Sequence, residues 1–254
     1  MLTIQERQQY ILDQVSRQGF LRAEDVAEKL GVSSATIRKD LRTLEARHLI
    51  HRSHGSASPV KSGINDLPVQ EKSAIRTAEK NAIARAAAAM IRENDSIILT
   101  SGSTIEALAA LITAKGHLDV ITPSIRVGVT LGNKENIDVL MLGGRLVAKS
   151  LSVRDSYSIE GLRNTACSTL FFSCDGFDLH SGATTAFVEE ARLTDAMMQV
   201  CAQKVLLADS SKLGKQGFGQ ICPLSAVDVL ITDKGIPAET VNALKELGVE
   251  VVIV

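Results

Sequence analysis

A chain of 254 residues with 45% hydrophobic side chains has enough apolar mass to build real cores, which excludes disorder of the whole. Aromatic residues make up only 3% and Trp is absent, so stacking platforms for single-stranded nucleic acid are not expected. A formal net charge of −1 means that any surface built for a polyanion must be local.

The N-terminus, MLTIQERQQY, has no apolar h-region, and no uncharged run approaches the roughly 18 residues of a membrane span. A soluble, cytoplasmic protein is the expectation. Three helical patterns come first. Ile4, Ile11, Leu12 and Val15 mark a helix over 4–16, and Val26, Ala27 and Leu30 mark one over 22–30. Ile37, Leu41 and Leu44 mark a third, beginning near Ser34. Gly31 suits a C-cap and Ser33 or Ser34 an N-cap, leaving the tight turn of about three residues expected in a helix-turn-helix. On the third helix Ser34, Arg38 and Arg42 fall on one face at four-residue steps. Between Gly31 and Lys61 six basic residues meet only Asp40 and Glu45, and three histidines stand among them. That excess points to a polyanionic partner for this segment.

The stretch HLIHRSHGSASPV follows, alternating in polarity around a Gly-Ser centre, and predicts a two-stranded wing with Arg52 and His54 near its tip. A third helix with short polar residues at its start can enter a major groove about 12 Å wide. Ser34, Thr36, Arg38, Lys39, Arg42, Arg52 and His54 are therefore the candidate contacts to double-stranded DNA. Residues 58–69, rich in Ser, Pro, Gly and Asn, read as a linker.

From residue 70 the pattern changes. Apolar runs at 96–100, 119–122, 138–142, 169–173, 204–208, 228–232 and 249–254 alternate with helical patterns such as 105–112, 187–202 and 238–247. Short runs apolar on both faces, with helices between, are the mark of buried parallel strands, so a Rossmann-like α/β domain is expected over 70–254. Cys167, Cys174, Cys201 and Cys222 show no metal-ligand spacing and read as buried, reduced thiols.

Within SIILTSGSTIEALAALI a strand runs into a Gly-containing turn with several hydroxyls and then a helix, which aims backbone N–H groups and a helix N-terminus at one point. Ser101, Gly102, Ser103 and Thr104 are the phosphate candidates; the lesser alternative is that Ser103 or Thr104 only caps the helix, and the two roles can coexist. Gly143, Gly144 and Arg145 after another strand, and Lys212 after the run 204–208, could approach the same anion at the sheet edge where open α/β proteins bind ligands. Asp175, Asp178 and Glu189 or Glu190 could accept hydrogen bonds from sugar hydroxyls or simply be solvated. No cofactor, no metal site and no catalytic residue is expected: GxxxxGK[ST], HExxH and GxSxG are all absent.

The run LGVSSATIRKDLRTLEARHLIHRSHGSA, residues 30–57, resembles the N-terminal signature of the DeoR-type bacterial sugar-metabolism repressors. The resemblance continues through GST (102–104), LGG (142–144), CDGFD (174–178), GATT (182–185), Glu189-Glu190 and DSSKLG (209–214). It implies a winged helix-turn-helix over residues 1–57 and a sensor over 70–254, with operator DNA released when the sensor binds a phosphorylated sugar. Thr100 and Pro123 stand where the family often has Asp and Asn, which bears on the identity of the effector. The sensor is also similar to ribose-5-phosphate isomerase, but His180-Ser181-Gly182-Ala183 replaces the Lys-Gly-Gly segment that such an isomerase carries, so catalysis is not expected. One wing makes a small footprint, and a homo-oligomer, dimer or tetramer, is expected on repeated or palindromic half-sites.

Overall fold

A computed structural model describes residues 3–18, 21–46, 50–53, 56–59 and 67–254. The chain divides into two compact units, Met1–Asp66 and Leu67–Val254.

The first unit opens with α1 (Ile4–Gln18), the two-residue strand β1 (Leu21–Arg22) and α2 (Ala23–Leu30). α3 (Ser34–Ala46) and the strands β2 (Ile50–Ser53) and β3 (Ser56–Pro59) complete it. Thr3 and Glu6 form a reciprocal capping box at the start of α1, each side chain accepting from the other's backbone N–H. Gly31 ends α2 at φ 64, the left-handed conformation that a Cβ disfavours, and its N–H reaches back to the last turn. Ser33 accepts from the Thr36 N–H at 3.1 Å and so is the cap of α3. Ile11, Val15, Val26, Ile37, Leu41, Leu44 and Ile50 form the core. Ile4, expected on the buried face of the first helix, is 62% exposed, because it sits in the first turn and clears the packed face. The wing hairpin pairs β2 with β3, and β1 adds a third strand against β3 that the sequence reading did not contain. β3 runs to Pro59, two residues into the segment expected to be linker.

The second unit begins with α4 (Val69–Ala74) and α5 (Thr77–Ala89). Then come β4 (Asp95–Leu99), α6 (Ser103–Leu111), β5 (Leu118–Thr122), α7 (Ile125–Gly132) and β6 (Ile137–Met141). A small hairpin of β7 (Leu146–Val147) and β8 (Ser152–Val153) precedes α8 (Ser156–Glu160) and β9 (Cys167–Phe172). After β10 (Gly176–Asp178), β11 (Gly182–Thr185) and α9 (Val188–Gln199) the chain forms β12 (Cys201–Leu207). A 3₁₀ turn (Ser210–Lys212), β13 (Gly219–Cys222), β14 (Val229–Thr232), α10 (Ala238–Glu246) and β15 (Glu250–Ile253) complete it.

The seven strands read from the apolar runs form one parallel sheet in the order β15-β14-β12-β9-β4-β5-β6. Alternate residues feed two cores. Ile97, Leu99, Phe171, Val205 and Ile231 pack with α5, α6 and α7, while Ile98, Leu170, Phe172, Leu206 and Leu230 pack with α9 and α10. The helix expected over 187–202 stops at Gln199, because Cys201 and Ala202 already belong to β12. All four cysteines are free and buried. Among the described residues no helix is long and apolar enough to cross a membrane.

The sheet grows outward from β4 in both directions, through β5 and β6 on one side and through β9 on the other. The boundary between β4 and β9 is therefore the topological switch point, and the crevice at the carboxyl ends of those two strands is where open α/β sheets place ligands.

Candidate functional sites

On the first unit, α3 buries Ile37, Leu41 and Leu44 and leaves Arg38, Lys39 and Arg42 exposed. A buried ion pair sets the helix in place: Arg7 on α1 donates from Nε and Nη2 to the two carboxylate oxygens of Asp40, the second at 3.1 Å. Arg38 forms an exposed pair with Glu24 at 2.7 Å in the first turn of α2, and Arg42 Nε reaches the Arg38 carbonyl at 3.4 Å. Lys39 is exposed. Ser34 is half-buried, and the Thr36 hydroxyl is engaged with Ser33 Oγ at 2.8 Å inside the cap. Arg52 lies on β2, and His54 lies outside the described residues. The arrangement presents three cations on one outward face of a rigidly seated helix.

In the second unit the loop after β4 runs through Ser101 and Gly102 into α6. Gly102 is the N-cap, at φ 124, and no side chain caps the helix, so neither Ser103 nor Thr104 takes the capping role. The first N–H groups of α6 lack the side-chain acceptor a Ser or Asp cap would supply. A Cβ at Gly102 would lie 2.5 Å from Ser173 Oγ. Ser173, after β9, donates to the Ser101 carbonyl at 3.0 Å and stitches the two sides of the switch point together. Thr100, buried at 5% exposure, reaches toward Ser173 N and the Ser101 carbonyl, each at 3.4 Å.

Asp175, two residues after Ser173, accepts from Lys72 Nζ at 2.8 Å and from Thr185 Oγ1 and Ala186 N at 3.1 Å each. Burial pushes its carboxyl up, but Lys72, the charge of Lys212 and the Ala186 N–H outweigh that and hold it below the usual range. Of the acidic pair, Glu189 is exposed and Glu190 turns toward this cluster, 3.6 Å from Arg154. Burial and the neighbouring Asp175 raise Glu190 to about 7 against the pull of Lys72, Arg154 and Thr185. Arg154 is itself stacked on Phe187, 3.8 Å from the ring centroid. Lys212, in the turn after β12, forms no ion pair among the described residues although its charge acts on Asp175, Lys80 and Lys215. Burial first, and then Lys212, depress both of those lysines. The crevice is thus a small cationic field with uncapped N–H groups on one wall, suited to a compact anion.

Other expected residues stand apart from it. Asp178 closes the β10–β11 hairpin, accepting from His180 N and Ser181 N at 2.7 Å each. Gly143, Gly144 and Arg145 follow β6, two strands or roughly 10 Å from β4. There the loop is tied to Asp155, which accepts from Arg145 N at 2.8 Å, and a Cβ at Gly144 would meet Asp155 Oδ1 at 2.7 Å. A carboxylate so close to the loop opposes a phosphate, and Arg145 itself is exposed. Lys72 and Arg154 come into the crevice from elements the sequence reading left aside, whereas Glu190 was named there as the alternative to Glu189. Helical phase favours Glu190 of the two: it precedes the buried Thr194 and Met197 by four and seven residues, the inward phase of α9. His117, Asp119 and Asp138 bring metal-type ligand atoms within 4.8 Å of one another, but all three are exposed and lie at the opposite edge of the sheet.

Residues 7–62 match the DeoR-like helix-turn-helix domain, and residues 75–234 match the DeoR C terminal sensor domain. The uncharacterised HTH-type transcriptional regulator YulB of Bacillus subtilis is 35% identical over 253 residues, covering 100% of this chain and 98% of its own. The HTH-type transcriptional regulator GlpR of Haloferax volcanii is 34% identical, covering 97% and 96%. The glycerol-3-phosphate regulon repressor of Escherichia coli K12 is 27% identical, covering 95% of each chain.

Proposed function

The chain belongs to the DeoR family of transcriptional regulators, and on that premise we propose that it represses a carbohydrate-utilisation operon until a phosphorylated sugar binds its second unit. The observation that carries the effector half is the switch-point crevice: the uncapped start of α6 at Ser101–Thr104 and Lys212, which has no ion pair among the described residues, stand on either side of β9. A phosphate dianion would answer both, since backbone N–H groups and an ammonium supply donors and positive charge to it. Glu190, which titrates around pH 7 and so can accept or donate, and Arg154, a donor only, would face the sugar hydroxyls. Asp175 serves as their anchor, its two oxygens already engaged. A relative named for the glycerol-3-phosphate regulon supports a phosphorylated polyol as the kind of ligand.

In the DNA half, Arg38, Lys39 and Arg42 would divide between phosphates and guanine edges of the major groove, with Ser34 and Thr36 at the start of the helix, Arg52 on β2, and His54 as a further candidate from the sequence. A homo-oligomer would supply the second DNA-binding unit for a two-fold operator.

The experiment is fluorescence anisotropy of the full chain on a duplex recovered from random sequence, scanned against a panel of sugar phosphates. Specific binding abolished by one compound is the expected result, and Lys212→Met should lose the response while keeping DNA affinity. Specific binding indifferent to every phosphorylated sugar would refute the effector, and sedimentation of a monomer on the operator would refute the oligomer.

A further inference from the structure

We propose that α4 transmits the signal: it holds the operator-binding state through Lys72 and Asp175, and the effector's anion releases it by taking Lys72. This rests on the reading of the switch-point crevice as the effector site.

α4 is six residues long and is held by contacts of different kinds. At its start Val69 N donates to the Lys149 carbonyl at 2.9 Å. At its end the buried Lys80 ammonium donates to the carbonyls of Lys72 and Ile75, the latter at 2.5 Å. From its middle Lys72 crosses to Asp175 at 2.8 Å, and the two side chains are 22% and 14% exposed. α4 also packs on α6, where the Ser73 hydroxyl acts on Glu106, a half-buried carboxylate 3.6 Å from Arg126 whose Oε1 has no hydrogen-bond partner among the described residues. The helix therefore bridges the element that follows β4 and the loop that follows β9, the two walls of the crevice.

What comes next in the chain is anchored differently. Arg76 adopts φ 53, a left-handed conformation that costs a non-glycine residue about 1 kcal/mol or more. It is locked there by Asp233 at 3.0 Å, Asp209 at 3.4 Å and Glu79 at 3.0 Å. On the other side, α4 is the first helix after the DNA-binding unit in chain order. A fixed post at Arg76 and a short helix held by exchangeable polar contacts make a part that can shift at one end only.

The exchange is chemically favourable. A phosphate monoester near neutral pH carries about −1.5 to −2 charges and three acceptor oxygens, a stronger partner for an ammonium than a single carboxylate. Asp175 keeps the Thr185 hydroxyl and the Ala186 N–H on Oδ2 when Lys72 leaves, and the charge of Lys212 still acts on it. A ligand that binds only the released arrangement shifts the equilibrium by its differential affinity.

The test uses the full chain, the selected duplex and inorganic phosphate as probe. Without ligand, Lys72→Gln and Asp175→Asn should each weaken operator binding about 10-fold, within the usual range of coupling between sites. The exchanged pair, Lys72→Asp with Asp175→Lys, should recover most of it. Amide hydrogen exchange at residues 70–75 should quicken in wild type on adding phosphate, while α3 keeps its protection. Unchanged operator affinity in Lys72→Gln would overturn the proposal, and so would an exchanged pair as weak as the single variants. Should the variants not fold, the wild-type exchange experiment decides: phosphate that binds by calorimetry without quickening α4 refutes it. Phosphate that does not bind at all refutes instead the assignment of the crevice.

Discussion

Asp40→Ala tests how the DNA-reading helix is seated. The Arg7 and Asp40 side chains are 10% and 5% exposed, and the guanidinium spans both carboxylate oxygens. Removing the carboxylate strands a buried cation, a change that typically costs about 3–5 kcal/mol. A unit of the size of Met1–Asp66, at about 0.05–0.15 kcal/mol per residue, has only roughly 3–10 kcal/mol to lose. The variant should therefore unfold in the first unit at temperatures where the second stays folded. With no Trp in the chain, the readout is hydrogen exchange at the amides of Ile37, Leu41 and Leu44 in the full-length protein, together with operator binding. Arg7→Met combined with Asp40→Leu should restore most of the protection, since replacing both charges by apolar groups of similar size is often neutral or better. A loss below about 1 kcal/mol in Asp40→Ala, or a double variant as unstable as the single, would show that the pair does not seat α3.

Three further outcomes follow from the same geometry. Arg42→Ala and Lys39→Ala should each lower the slope of log affinity against log salt by about one if they hold phosphates, whereas a base-reading residue would relax sequence preference instead; no change of either kind removes that residue from the interface. Gly102→Ala forces a Cβ to φ 124 and to 2.5 Å from Ser173 Oγ, so it should cost on the order of 1–3 kcal/mol and abolish calorimetric binding of phosphate, and undiminished binding would move the anion away from α6. Glu190, raised from 4.5 to about 7, favours the folded state only while protonated, so its stabilisation is full below pH 4.5 and is lost as pH rises through 7. Urea unfolding should show wild type losing on the order of 2 kcal/mol between pH 5 and pH 8 relative to Glu190→Gln, and parallel curves would contradict the assignment.

The central sheet was readable because strands covered on both faces have no polar alternation to blur them: Ile97–Leu99, Leu170–Phe172, Val205–Leu207 and Val229–Ile231 are apolar without a break. Strand order was not, since it depends on which helices cross which face. The small sheet β10-β11-β13 escaped notice because its strands are three or four residues long and rich in glycine. The residues grouped at the crevice divide in the same way. Ser101–Thr104 carries its signal locally, in a strand, a glycine turn and a helix. Lys72 stands 103 residues from Asp175, beside a segment that reads as linker, and nothing in its neighbours announces the contact. Asp178 was the opposite case: an Asp two and three residues before backbone N–H groups and a Gly is turn chemistry, and that reading was available without any ligand.

A nearly neutral chain keeps two concentrations of positive charge, and the solvent around each determines what it can bind. Arg38, Lys39 and Arg42 stand in water, where each unit of charge is worth little alone, is screened by salt, and gains its effect from a long polyanion that meets all three. Lys72, Lys80, Lys212 and Lys215 are partly or fully buried at the sheet edge, where burial and mutual repulsion already depress Lys80 and Lys215. Crowding cations there is unfavourable for the empty protein, and Asp175, Asp209 and Asp233 offset only part of it. The remaining imbalance is relieved by a small dianion that fits between Lys212 and the start of α6. A duplex, whose charge is spread along a rod, cannot enter that crevice, and a single phosphate gains little from the open face of α3. The same type of side chain thus supports two separate recognitions in one chain, divided by burial rather than by sequence.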